Sequence, residues 1–184
     1  MSAALGRLLA EPQVSSWLNV HAPVTLSALR GRVVMIVTFQ MLCPGCVAHA
    51  LPQAQRVARS FAASEVAVVG LHTVFEHHAA MQEVSLRAFL HEYRIAFPVA
   101  IDQPGSGAIP CSMQAYGLRG TPSLLLIDRD GILRAHHFGE VPDLVLGAEI
   151  AGLMAQNGVR RTSEDSAMSA SGREASACVR PPAD

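Results

Sequence analysis

Two cysteines separated by two residues, Cys43-Pro44-Gly45-Cys46, are the part of this sequence whose spacing can do chemistry. Residues three apart on a helix share a face, so the two sulfurs can close a small ring and cycle between dithiol and disulfide. The pair lies where an apolar strand-like run gives way to a helix-like run. Cys43 then falls at the helix N-terminus, where unpaired amides and the helix dipole favour an anion and so a nucleophilic thiolate. Cys46, one turn further in, is more shielded and suits a resolving thiol that releases a mixed disulfide. The competing chemistry for a C-x-x-C is half of a structural zinc site. Such a site needs a second C-x-x-C or a histidine pair at finger or ribbon spacing, and neither is present, so redox exchange is favoured and no metal is expected.

Other candidates surround this pair. Tyr116-Gly117-Leu118-Arg119-Gly120-Thr121-Pro122 leads into a strand, and a cis Thr121-Pro122 bond would leave the backbone of Thr121 exposed beside the thiols to pair with an extended substrate. The plainer reading is a proline at the start of a strand. His49, one turn beyond Cys46, has the side-chain type that moves protons near neutrality and is a candidate to serve the resolving thiol; the alternative is a surface histidine with no role. Of the eight histidines, His72, His77-His78 beside Glu76, and His136-His137 read as polar positions at strand ends rather than metal ligands, because neighbours on a strand face opposite sides. Cys111 reads as a small buried apolar residue, and Cys178 as incidental.

Composition limits the partners. Half of the 184 residues are hydrophobic, 16% are charged, the net charge is −1 and the mean hydropathy is +0.28. All fourteen basic residues are arginines, balanced by fifteen acids, so no basic face for a phosphate backbone is expected and nucleic acid is excluded as a partner. No run reaches the roughly 18 apolar residues of a membrane span, and Met1 to Val20 lacks the apolar core of a secretory signal. The expectation is a cytoplasmic protein without a membrane partner.

The elements that must position the thiols follow from periodicity. Val33 to Phe39 is a β-branched and aromatic run fit for a strand buried on both faces. Pro44 to Phe61 follows with a helical period. Val66 to Val74 predicts a second strand, Met81 to Tyr93 a second helix, Phe97 to Ile101 a third strand and the segment from Cys111 a short helix. Leu124 to Asp128 and Leu133 to Phe138 flank Arg129-Asp130-Gly131 as a hairpin, and Val141 to Gln156 predicts a last helix. This order predicts an α/β three-layer sandwich, a mixed central sheet with helices on both faces. Residues 1–14 read as an N-terminal extension, 15–157 as the domain, and the Gly-, Ser-, Ala- and Arg-rich 158–184 as a disordered tail.

Leu29-Arg30-Gly31-Arg32-Val33-Val34, Phe39, the Cys43 to Cys46 motif, Tyr116 to Pro122 and Leu126-Ile127-Asp128-Arg129-Asp130-Gly131 together resemble the thioredoxin-like superfamily, in its redoxin (AhpC/TSA) or TlpA-like branch. Trp17-Leu18-Asn19 is also similar to the thioredoxin-like module of NHL-repeat proteins. The resemblance spans about residues 15 to 156. It implies a dithiol-disulfide exchange site with Cys43 as nucleophile, Cys46 as resolver, and Pro44, Gly45, Arg119, Thr121 and a cis Pro122 on the substrate side. The chain departs from the pattern at Leu42, where a Trp is usual, at Val37 in place of a buried acid, at His49 in place of a Glu, and at Pro52, which arrives one residue late.

These readings give a thiol-disulfide oxidoreductase that needs no cofactor, acts on disulfide-bearing proteins or small molecules and is recharged by an upstream thiol donor. A peroxiredoxin-like peroxidase, with Cys43 attacking a peroxide and Arg119 supporting it, is the alternative; Gln40 stands where that family has Thr or Ser. The reading from another class is a redox sensor or binding module without catalysis.

Overall fold

In the computed structural model, which describes residues 5–156, the run Val33–Phe39 is strand β2, and all seven of its residues are buried. Its odd-numbered side chains, Val33, Met35, Val37 and Phe39, enter one apolar cluster, while Val34 and Ile36 enter another on the opposite face. A strand that alternates between two dry layers has to be central. β2 pairs in parallel with β3 (Val66–His72) and antiparallel with β5 (Ser123–Ile127). The six-stranded mixed sheet is completed by β4 (Val99–Asp102), β6 (Leu133–Phe138) and β1 (Val14–Leu18), in the order β1-β4-β3-β2-β5-β6. The fold is the thioredoxin-like α/β sandwich that the motif order implied.

Helices cover both faces. On one lie α1 (Leu51–Ser60), α2 (Glu83–Glu92) and α4 (residues 143–156), contributing Leu51, Ala54, Val57, Leu86, Leu90, Leu146, Ile150 and Leu153 to the first cluster. On the other lies α3 (Cys111–Tyr116), which adds Met113 and Tyr116 to the second. Asp102 at the end of β4 fixes α3. Its carboxylate accepts the N–H groups of Ser112 (2.8 Å) and Met113 (3.0 Å) and the hydroxyl of Thr73 (2.9 Å), satisfying amides at the start of α3 that have no partner within the helix. The hairpin turn is held by Asp128, whose Oδ1 accepts from the amides of Asp130 and Ile132, with Gly131 at φ +78° where a side chain would be strained.

Three features differ from the sequence expectation. β1 was not expected: Ser15 and Ser16 interrupt its apolar alternation, and it is recognisable only as an edge strand antiparallel to β4. Residues 8–14, read as an extension, are joined to the domain. Leu8 bridges to Ile132, Leu9 is buried in the second cluster, the Glu11 carboxylate accepts the amides of Leu26 and Ser27, and the Ala10 carbonyl accepts the Tyr116 hydroxyl. The helix expected from Pro44 to Phe61 is not uniform, because Cys46–Ala50 is a π-turn in which Leu51 N–H donates to the Cys46 carbonyl. Pro52 has no N–H to offer a preceding carbonyl, and the widened turn lies directly ahead of it. The tail expected over 158–184, with Cys178, lies outside the described residues. Among the described residues no helix is long and apolar enough to cross a membrane.

Candidate active site

The chain leaves the C-terminal end of β2 through Gln40, Met41 and Leu42 and reaches Cys43 in a turn closed by Cys43 N–H to the Gln40 carbonyl, 3.2 Å. The helical run begins here, with Val47 N–H donating to the Cys43 carbonyl at 3.1 Å. The Cys46 amide points back and donates to Cys43 Sγ at 3.4 Å, so the first turn of the helix aims a backbone N–H at this sulfur. Both cysteines are free thiols. Their surroundings differ: Cys43 is half-buried, whereas Cys46 is fully buried. Burial, reinforced by the neighbouring Cys43, pushes the Cys46 thiol up to about 12, while hydrogen bonds from the Gln40 backbone and the Thr121 side chain pull the other way.

The loop before β5 closes the opposite side. Thr121-Pro122 is a cis peptide, and the Cys43 thiol donates to the Thr121 carbonyl at 3.5 Å. Gly45 faces Pro122 closely enough that a Cβ would stand 3.4 Å from its Cδ. The structure thus brings Cys43, Gly45, Cys46, Thr121 and Pro122 together, with Pro44 and Leu42 exposed at the rim. Beside Pro122 opens a cavity of about 390 Å³ whose lining includes His49, Gln53, Arg56, Glu140 and Asp143. Arg56 and Gln53 hydrogen-bond Asp143 and hold its carboxyl below the usual range.

Two expected site residues stand to the side of the thiols. The His49 side chain is 55% exposed, sets its Nδ1 3.7 Å from Glu140 Oε1, and makes no hydrogen bond to either sulfur. Arg119 is exposed and lies over the Phe138 ring, 5.0 Å from its centroid, rather than on Cys43. Cys111, expected to be buried, is half-exposed at the start of α3 and donates to the Pro104 carbonyl. Among the described residues no group of three histidine, cysteine or acidic side chains stands together to hold a metal ion. His137 pairs with Glu149, and His136 is held below its ordinary range by burial and by the charges of Arg119 and His137.

One residue of this region was not singled out from the sequence as part of it. Gln40 is 1% exposed, and its amide reaches both Glu76 and Thr121. The signal available in the sequence was a single amide directly after a β-branched and aromatic strand, a position where burial demands partners.

Comparison with known proteins places this geometry in context. The profile of the AhpC/TSA family matches residues 12–136. A crystal structure of a thioredoxin-like superfamily protein superposes with a TM-score of 0.79 at 60% identity, over 82% of this chain and 97% of that one. A thiol-disulfide isomerase from Corynebacterium glutamicum superposes with a TM-score of 0.78 at 47% identity, over 81% and 96%. Protein DipZ of Mycobacterium bovis is 29% identical over 129 residues, which are 69% of this chain and 18% of DipZ. The chain therefore spans less than a fifth of the length of the curated relatives it matches.

Proposed function

Since the chain belongs to the AhpC/TSA family and is an oxidoreductase of thioredoxin-like fold, we propose that it exchanges thiols and disulfides through Cys43 and Cys46. The observation that carries this reading is the asymmetry of the pair: one sulfur half-exposed at a helix N-terminus beside an accessible backbone carbonyl, the other fully buried one turn behind it. Cys43, as thiolate, attacks one sulfur of a substrate disulfide. A mixed disulfide forms and the other substrate sulfur leaves with its electron pair. Cys46 then attacks Cys43 Sγ, closing the internal disulfide and releasing the second substrate thiol.

Burial of Cys46 gives the two steps their order, because a thiol pushed up to about 12 does not compete for the first attack. Loss of the Cys43 proton frees the Thr121 carbonyl, which can then accept an N–H from an extended polypeptide laid along the loop. Exposed Leu42 and Pro44, and the Arg119–Phe138 stack, supply apolar and cationic contacts at the rim. The reading favours disulfide-bearing proteins as substrates and a separate thiol donor to recharge the pair; the Corynebacterium relative, a thiol-disulfide isomerase by name, supports that class.

The test is reduction of a protein disulfide such as insulin in a thiol-driven assay, with hydrogen peroxide consumption measured alongside. Disulfide reduction lost in Cys43→Ser supports the reading. Peroxide consumption that depends on Cys43, without disulfide reduction, would establish a peroxidase instead, and activity in neither assay would leave the sensor.

A further inference from the structure

The Cys43 thiol, the Thr121-Pro122 bond and the loop that follows β6 are fastened to one another in series. The thiol donates to the Thr121 carbonyl at 3.5 Å, and the next carbonyl, that of Pro122, accepts the Gly139 N–H at 2.9 Å. A substrate chain bonded to Cys43 and paired at Thr121 therefore meets this loop next, at the cavity of about 390 Å³ beside Pro122. Four side chains of the lining can carry charge: His49, Arg56, Glu140 and Asp143. Arg56 and Asp143 neutralise each other, Nε to Oδ2 at 2.9 Å and Nη2 to Oδ1 at 3.1 Å. Glu140 has no hydrogen-bonded partner of this kind. His49 Nδ1 stands 3.7 Å from its Oε1, beyond hydrogen-bond reach, and among the described residues none donates a hydrogen bond to this carboxylate. The π-turn explains why His49 lines this cavity and leaves the sulfurs. In an α-helix residues three apart share a face, which would set His49 beside Cys46. A turn closed by i→i+5 bonds moves the shared face on to Ala50 and Leu51, both packed in the same cluster as Cys46.

We propose that Glu140 is a specificity-determining residue that binds the cationic end of a lysine or arginine two residues from the substrate cysteine, the stem of that side chain lying in the cavity beside Pro122. The proposal rests on the dithiol reading above and adds to it the class of polypeptide the site prefers. The spacing follows from the extended backbone that pairs at Thr121. Side chains two apart on such a chain point the same way, so a residue two from the cysteine is turned to the protein surface as the cysteine is. The sign of the charge follows from the lining, where the carboxylate of Glu140 is the group left without a hydrogen bond and the Arg56 guanidinium is already taken. Pro122, Val141 and Pro142 give the methylene stem an apolar wall. Arg119 stands outside this lining, over Phe138. The Glu140 side chain is 69% exposed, so water and salt screen the attraction and limit the preference to about two- to fivefold.

The test uses homodimeric peptide disulfides with lysine, alanine or glutamate two residues before or two residues after the cysteine, reduced in a thiol-driven assay at low salt. The ratio of kcat/KM for the lysine and glutamate peptides is taken within each protein, so an inactive fraction cancels. The flanking charge also alters the peptide disulfide itself, equally for every protein, and the variants read the share that belongs to Glu140. At one of the two positions, wild type is expected to favour lysine over alanine by about two- to fivefold and to disfavour glutamate. Glu140→Gln should lower the lysine-to-glutamate ratio, Glu140→Arg should lower it further, and high salt should bring wild type towards Glu140→Gln. A ratio that is the same in wild type, Glu140→Gln and Glu140→Arg at both positions would overturn the proposal, as would reduction of insulin but of none of the peptides. A wild type that reduces neither insulin nor any peptide, or does so no better than Cys43→Ser, would overturn the dithiol reading and this proposal with it.

Discussion

The sulfur of Cys43 lies 3.5 Å from the carbonyl oxygen of Thr121, a residue 78 positions further along the chain. Cys43 follows the end of β2 and Thr121 precedes β5, and the two strands are antiparallel neighbours in the sheet, so the contact is set by the fold and not by either loop alone. It puts the proposed nucleophile beside a backbone carbonyl, the arrangement the proposed exchange with an extended disulfide substrate needs.

The unequal burial of the two sulfurs makes them chemically distinguishable. Near neutral pH, brief treatment of the reduced protein with iodoacetamide should alkylate Cys43 and leave Cys46 unmodified, because only the thiolate reacts and burial has pushed Cys46 up to about 12. Peptide mass mapping reads the result. Equal labelling of both cysteines in folded protein would show that Cys46 is not shielded as described.

Arg119 is expected to affect binding and not the chemical step. Its guanidinium lies on Phe138 at the rim and away from Cys43, so Arg119→Ala should raise KM for a protein disulfide by roughly three- to tenfold while kcat changes little. Steady-state kinetics with one substrate separates the two quantities. A fall in kcat with KM unchanged would place Arg119 at the reacting sulfurs and revive the peroxidase-like role considered from the sequence.

His72 should make stability depend on acid. It closes β3 fully buried, packed against Phe39 with ring centroids 5.2 Å apart, and its Nε2 has no hydrogen-bond partner. Burial pushes its pKa down from 6.5 to about 4, so the unfolded chain takes a proton that the folded chain refuses. Above pH 6.5 both states are neutral there and the group adds no pH dependence; as pH falls from 6.5 towards 4, stability is lost, by about 3 kcal/mol in all. Urea unfolding across that window should show a shallower decline in His72→Leu than in the wild type. Parallel curves would contradict this account of His72.

Much of this architecture could be read from the chain, and what escaped did so for physical reasons. β2, the C-x-x-C at its end, the Asp128 to Gly131 turn and the loop ahead of β5 are local patterns, each written in a few adjacent residues. β1 escaped because a half-exposed edge strand with serines at 15 and 16 has neither a clean alternation nor a dry run. The N-terminal residues escaped because Leu9 and Glu11 find their partners near Gly131 and at Leu26 and Ser27, contacts no local pattern announces. The π-turn over Cys46–Ala50 escaped because the apolar spacing from Pro44 to Phe61 fits one continuous helix. The partners of Gln40 come from the loop after β3 and from Thr121, 36 and 81 residues away. Its burial was hidden until the topology set those three loops side by side.

The central claim is that Cys43 attacks a substrate disulfide and Cys46 resolves the adduct. Substituting Cys46→Ser removes the second step and leaves the first. Mass spectrometry of this variant after mixing with a disulfide-bearing protein should show a stable mixed disulfide through Cys43, released by dithiothreitol and absent when Cys43 is also replaced by serine. No adduct, or an adduct carried by Cys111, would contradict the assignment.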